Sequence, residues 1–177
     1  MGRSANRVQA WDARLTRLAE SIDALVEKDE SSLRRGREMG AIRQAAAAEL
    51  YGVCADFVDS LNRLLTRGEV LLDPEGAAFD ENSAHLMQIN VRGRILQVAF
   101  EATPDLTSTE DFRIPYTLQG TVRAFNQDLL DKDLIEEQLL LYTVEGQKRA
   151  WRFFDARTYR SGPFDQEYLA SLMEQLV

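Results

Sequence analysis

The chain has one histidine, His85, one cysteine, Cys54, and no long apolar run, and each shortage removes a class of function. A single histidine excludes paired-histidine zinc sites and any scheme that needs two imidazoles. A single cysteine excludes an internal disulfide framework, and its place inside a helical pattern reads as a small buried hydrophobe, which fits a reducing compartment. No window approaches the roughly 18 apolar residues of a membrane span. The arginine-bearing start, Met1 to Leu18, has no signal-peptide core, and the Met1-Gly2 opening lacks the Ser or Thr of a myristoylation start because Asn6 stands there. A cytoplasmic protein with no membrane partner is expected.

Motifs of chemistry are also missing. There is no glycine-rich phosphate loop, G-x-S-x-G elbow, Cys-x-x-Cys pair or His-Glu-x-x-His helix. Asp131, Asp133, Glu136 and Glu137 crowd oxygen atoms together but lack the glycine and spacing of a calcium loop, so they read as a solvated acidic connector. Asp56 and Asp59 flank the apolar positions Phe57 and Leu61 and read as the wet edge of a helix. Cys54 has no histidine near it in sequence to act as its base. No catalytic residue, metal site or cofactor is expected, and a non-enzymatic role ranks first.

What is present is 177 residues with 45% hydrophobic content, enough for one domain with a real core. The net charge of −8 is uneven: Met1 to Arg43 holds 9 Lys/Arg against 7 Asp/Glu, and the rest holds 12 against 22. The front is therefore slightly basic and the body strongly acidic, which disfavours nucleic acid as a partner of the body.

Apolar spacing organises the chain. Val8, Trp11, Leu15, Leu18, Ile22 and Leu25 recur at intervals of three and four, the spacing of a helical seam. Asp29 interrupts it, and with Ser31, Ser32 and Gly36 following, a bend is expected near Asp29 to Leu33. A second helix is expected from Met39 through Ile42, Ala46, Leu50, Val53, Phe57 and Leu61 to Leu64, stopped by Gly68, with a turn at Asp73 to Gly76. The period falls to two near Leu86. Strands are expected at Leu86 to Val91 and Ile95 to Phe100 around a tight Arg92-Gly93-Arg94 turn, and from Tyr116 to Ala124, where Pro115 places the strand start at an edge or bulge. A helical turn is expected over Asn126 to Asp133. A second hairpin joins Leu139 to Glu145 with Arg149 to Asp155 across Gly146-Gln147, and Phe164-Asp165 before Leu169 marks a capped final helix.

The fold class is therefore α+β: long N-terminal helices, then a roughly five-stranded antiparallel sheet and a C-terminal helix in two layers, divided into a helical arm, 1–32, and a domain, 33–177. Over about Met39 to Val177 this element order, with the acidic charge, is similar to that of the small dimeric chaperones of type III secretion. The resemblance implies a helix, three strands, a helix, two strands and a helix.

Two segments are candidates for binding. Trp11, Leu15, Leu18 and Ile22 either dock within the chain or pair with a second copy, with Trp11 as anchor. In Lys148 to Arg160, Arg149, Arg152, Arg157 and Arg160 interleave with Trp151, Phe153, Phe154 and Tyr159, so charge and stacking surfaces coincide. If that segment is a strand, Trp151 and Phe153 share one face and Arg152 and Phe154 the other, with the aromatics in the core as the plainer alternative. Three functions follow in order: a homodimeric adaptor or chaperone-like binder; a nucleic-acid-associated protein using 148–160; and a small-ligand-binding domain or motif-free enzyme with a pocket lined by Tyr116, Tyr142 and Trp151.

Overall fold

The computed structural model describes Gly2–Val177 apart from Glu75 and Ala77, and side chains from Arg7 onward apart from Leu130 and Asp131. Contacts divide the chain into two units, Met1–Ala41 and Ile42–Val177. The element order is α1 (Gly2–Leu64), β1 (Leu71–Asp73), β2 (His85–Val91), β3 (Arg94–Thr107), β4 (Tyr116–Asn126), β5 (Leu129–Glu145), β6 (Lys148–Asp155), β7 (Arg160–Pro163) and α2 (Gln166–Leu176). It is an α+β fold whose strands form one antiparallel sheet in sequence order, β1 to β7.

Helix α1 runs without the expected bend at Asp29 to Leu33. Serine and aspartate stop a helix only where the backbone before them already leaves helical geometry. A lone glycine such as Gly36 costs about 1 kcal/mol relative to alanine, too little to break a helix that contains no proline. The stop comes at Leu64 rather than at Gly68, which is not in the left-handed conformation of a capping glycine. Asn62 ties the exit down: its side chain donates to the Val70 carbonyl and accepts from the Val70 N–H, both at 2.8 Å.

In the second unit, the apolar stripe Ala46, Ala47, Leu50, Cys54, Phe57 and Val58 and the α2 residues Leu169, Leu172 and Met173 join one core with the sheet. Strand register shows which sheet face they meet. Met87, Val98, Val122, Leu140, Tyr142 and Trp151 lie on that face, linked by the pairs Met87↔Val98, Val98↔Val122 and Tyr142↔Trp151. The residues between them point the other way, as a pleat of period two requires.

The sheet has seven strands, not five. Strands β1 and β7 span three and four residues, too short for any alternation to register. The helical turn expected over Asn126 to Asp133 is instead a hairpin turn and the start of β5: the Asn126 side chain accepts from the Asp128 N–H at 3.0 Å, and Leu129 pairs with Asn126. Among the described residues no helix separates the strands, so the arrangement implied by the secretion-chaperone resemblance is not the one formed. Part of the Asp73 to Gly76 turn lies outside the described residues.

Other local expectations hold for identifiable reasons. Arg92 and Gly93, with φ of 52° and 86°, make the two-residue turn of β2–β3, and Asn90 accepts from the Gly93 N–H at 2.8 Å. Gly146, φ 62°, turns β5 into β6. Pro115 precedes a register shift between Tyr116 and Leu118. Asp165 caps α2, accepting from the Tyr168 N–H at 2.9 Å.

Gly120 faces Phe100 across the β3–β4 pair, and a Cβ built there would lie 1.8 Å from the Ala99 carbonyl oxygen. The obstacle is backbone, so the strands would have to part. Gly120→Ala is expected to lower stability by about 1–3 kcal/mol, read as a lower denaturant midpoint at unchanged slope; an unchanged midpoint would show that the strands accommodate the methyl group.

Candidate functional site

The Lys148 to Arg160 segment is split by the pleat as β6 geometry dictates. Trp151 lies on the helix-facing side, 2% exposed, and its indole N–H donates to the Ala46 carbonyl of α1 at 2.7 Å. Its ring stands edge-on to Phe100 at 5.5 Å and tilted to Tyr142 at 5.2 Å. Phe153 is on the same side and stacks on Tyr168 of α2 at 4.2 Å, the planes 3° apart. The structure therefore makes Trp151 core and leaves its ring no free face for a partner.

The opposite side carries Arg152 and Phe154. Arg152 donates to the Ser161 hydroxyl of β7 at 3.3 and 3.4 Å, while Phe154 is buried with Phe112, Tyr116 and Leu141 in a small second cluster. That cluster forms where the loop before β4 folds back, held by Phe112 N–H donating to Thr109 Oγ1 at 3.0 Å. Phe112 and Ile114 gave no periodic signal in the sequence because loop residues have none. Tyr159, at φ 57° and 64% exposed, leans edge-on toward Phe154 at 6.3 Å.

The remaining cations of the segment do not converge. Arg157 bridges Glu136 at 3.1 Å and Asp155 at 3.6 Å; Arg149 and Arg160 are exposed. Hydrogen bonds from Arg157 N–H and Thr158, with the Arg157 charge, hold the Asp155 carboxyl below its ordinary range. Arg123 meets Asp133 at 2.8 Å and Glu137 at 3.6 Å. The acidic stretch of β5 is thus met by arginines from β4 and from the β6–β7 turn. Among the described residues, no group of three or more His, Cys, Asp and Glu side chains could hold a metal ion.

The other titratable candidates are occupied structurally. His85 opens β2 with its ring between Phe79 and Phe100, centroids 5.0 and 5.1 Å away, and its Nε2 lies 2.9 Å from the Asp80 carbonyl oxygen. Burial pushes the Cys54 thiol up to about 12, which holds it in the unreactive protonated form. Asp56 and Asp59 are both exposed. Tyr142 and Trp151 pack on the opposite side of the sheet from Tyr116, so these three line no common pocket.

The second unit has several hollows, and two of them are lined in good part by α2. One, about 350 Å³, lies between α2 and the β5–β7 end of the sheet and is lined by Gln138, Asp155, Arg160, Asp165 and Tyr168. Four of these five polar groups have internal duties: Asp165 caps α2, Asp155 binds the turn after β6, and the Tyr168 hydroxyl donates to Gln138. The second, about 320 Å³, is an apolar groove between the C-terminal ends of α1 and α2, lined by Phe57, Leu61, Val70 and Met173. Among the described residues, every buried side-chain nitrogen or oxygen has a hydrogen-bond partner.

The first unit is different in kind. Val8, Trp11, Leu15, Leu18, Ile22 and Leu25 are each between 43% and 57% exposed, and Val26 and Leu33 are exposed beside them. Val26 and Leu33 continue the line of Ala19 at intervals of seven, a signal the a/d seam alone does not show. The helix contains 63 residues, and this stripe is its longest apolar surface left in water. No family model matches the chain, and no curated protein or solved structure is detectably similar to it.

Proposed function

We propose that this chain is a non-enzymatic protein-interaction module that associates with a second copy of itself through the seam Val8, Trp11, Leu15, Leu18, Ile22 and Leu25. The observation that carries the reading is the exposure of all six residues, at helical spacing, on one stretch of α1. A contiguous exposed apolar stripe is unfavourable in water and marks an interaction surface. Three heptads are marginal as an isolated coiled coil because helix nucleation is costly. Here the stripe belongs to a helix that continues into residues packed in the core, so nucleation is already met.

Sedimentation equilibrium on the full chain tests the proposal. The wild type is expected to be dimeric, and Leu18→Asp or Ile22→Asp monomeric. Because both positions are half exposed, the unfolding midpoint of the second unit is expected to stay unchanged in each variant. A wild-type chain that remains monomeric at its solubility limit would refute self-association.

A further inference from the structure

The seam reads in heptads with Val8, Leu15 and Ile22 at position a and Trp11, Leu18 and Leu25 at position d. From this pattern and its flanks we infer that the two copies run parallel and in register as a two-stranded clasp, and that Asp29 limits its strength. The inference rests on the proposed self-association and adds its direction, stoichiometry and control.

The seam sets the number of strands and two flanking contacts set their direction. β-branched residues at a, here Val8 and Ile22, with leucine at d, here Leu18 and Leu25, favour two strands over three or four in a parallel assembly. The g positions hold Arg7, Arg14, Ser21 and Lys28 and the e positions Asp12, Ala19, Val26 and Leu33, all but Ser21 and Ala19 charged or large. In a parallel pair each g residue meets the e residue five places on in the partner. Arg7 then meets the partner's Asp12, an attractive pair formed twice. The methylene stem of Arg14 lies over the partner's Ala19, covering apolar surface while its charged end stays in water.

The antiparallel register that keeps all six seam residues opposed sets Val8 against the partner's Leu25. It brings Arg7 beside the partner's Lys28, a like-charge contact formed twice, where the parallel register makes an attractive pair of Arg7 with the partner's Asp12.

Asp29 occupies the next a position, and in the parallel register it faces the partner's Asp29 across the axis. Two carboxylates in that layer repel one another and close the apolar seam at Leu25. The clasp is thereby held to three heptads and kept reversible. Asp29→Asn removes the repulsion and lets two amides bond across the axis, so the dimer is expected to tighten by about ten-fold.

Cysteine cross-linking in a thiol–disulfide redox buffer decides direction, with Val8→Cys and Leu25→Cys made in the full chain; the native Cys54 is fully buried and does not compete. The parallel clasp is expected to give disulfide dimers in each single variant and no mixed Val8→Cys/Leu25→Cys product when the two are combined. Cross-linking only in the mixture would overturn the parallel register while leaving self-association intact. A monomeric wild type would overturn both. Unchanged or weaker association in Asp29→Asn would overturn the limiting role of Asp29.

Discussion

Trp151→Ala is expected to destabilise the second unit by about 3–5 kcal/mol. Removing the indole empties a space bounded by Phe100 and Tyr142 and takes away the hydrogen bond to the Ala46 carbonyl. The ring joins the sheet to α1, so neither side can close the cavity without shifting the other. Trp151→Phe keeps much of the apolar surface and should cost less than Trp151→Ala. Urea unfolding followed by far-ultraviolet circular dichroism measures both. Labelling of Cys54 provides a second probe, since burial keeps that thiol protonated and covered until the core opens. A Trp151→Ala midpoint close to wild type would mean that the ring is not part of the core that holds the two layers together.

Arg43→Ala is expected to cost a similar amount, about 3–5 kcal/mol, because it strips a buried cation from a site built around it. Arg43 is 8% exposed; its Nε donates to Thr117 Oγ1 at 2.7 Å, one terminal nitrogen donates to the Thr103 carbonyl, and the other meets Glu81 at 3.3 Å. Thr117 and Thr103 are buried, so alanine at 43 leaves their acceptors without a donor as well as a cavity. The ion pair is the lesser part: the Glu81 side chain is 42% exposed and screened by solvent. Glu81→Gln is accordingly expected to shift stability by less than about 1 kcal/mol. If Glu81→Gln and Arg43→Ala proved equally damaging, the ion pair rather than the neutral acceptors would be the principal contribution.

These two residues also show where sequence reading succeeds and where it stops. The pleat assigns Trp151 and Phe153 to one side and Arg152 and Phe154 to the other, and the structure places them so. Composition made the segment resemble a binding surface because aromatics and arginines serve cores and interfaces alike. Only tertiary contacts tell the two apart. Arg43 gave no signal at all, since a cation on an apolar helical stripe reads as solvent-facing until its acceptors, 60 and 74 residues away in sequence, are known.

Two of the seven strands are hidden in the sequence for a related reason. Periodicity needs several alternations, and Leu71–Asp73 and Arg160–Pro163 supply too few. The first part of β5 is acidic and lies beside repeated register shifts between Val122 and Asn126, so neither apolar alternation nor regular pairing marks it. The turns were legible because their chemistry is local: Arg92-Gly93, Gly146 and Asp165 each act through the few residues beside them. The seam was legible as a pattern, while its exposure, on which the proposed function depends, is a property of the folded chain.

The sheet is laid down in sequence order, yet the bond between Trp151 and Ala46 spans 105 residues. During synthesis each hairpin can close soon after its second strand is made, because successive strands are neighbours. The apolar stripe from Ala46 to Val58 must wait until nearly the whole chain has emerged before β6 and α2 cover it. Nascent chains interrupted before Trp151 should therefore be sticky intermediates that draw on holdase protection, whereas those released after α2 should not.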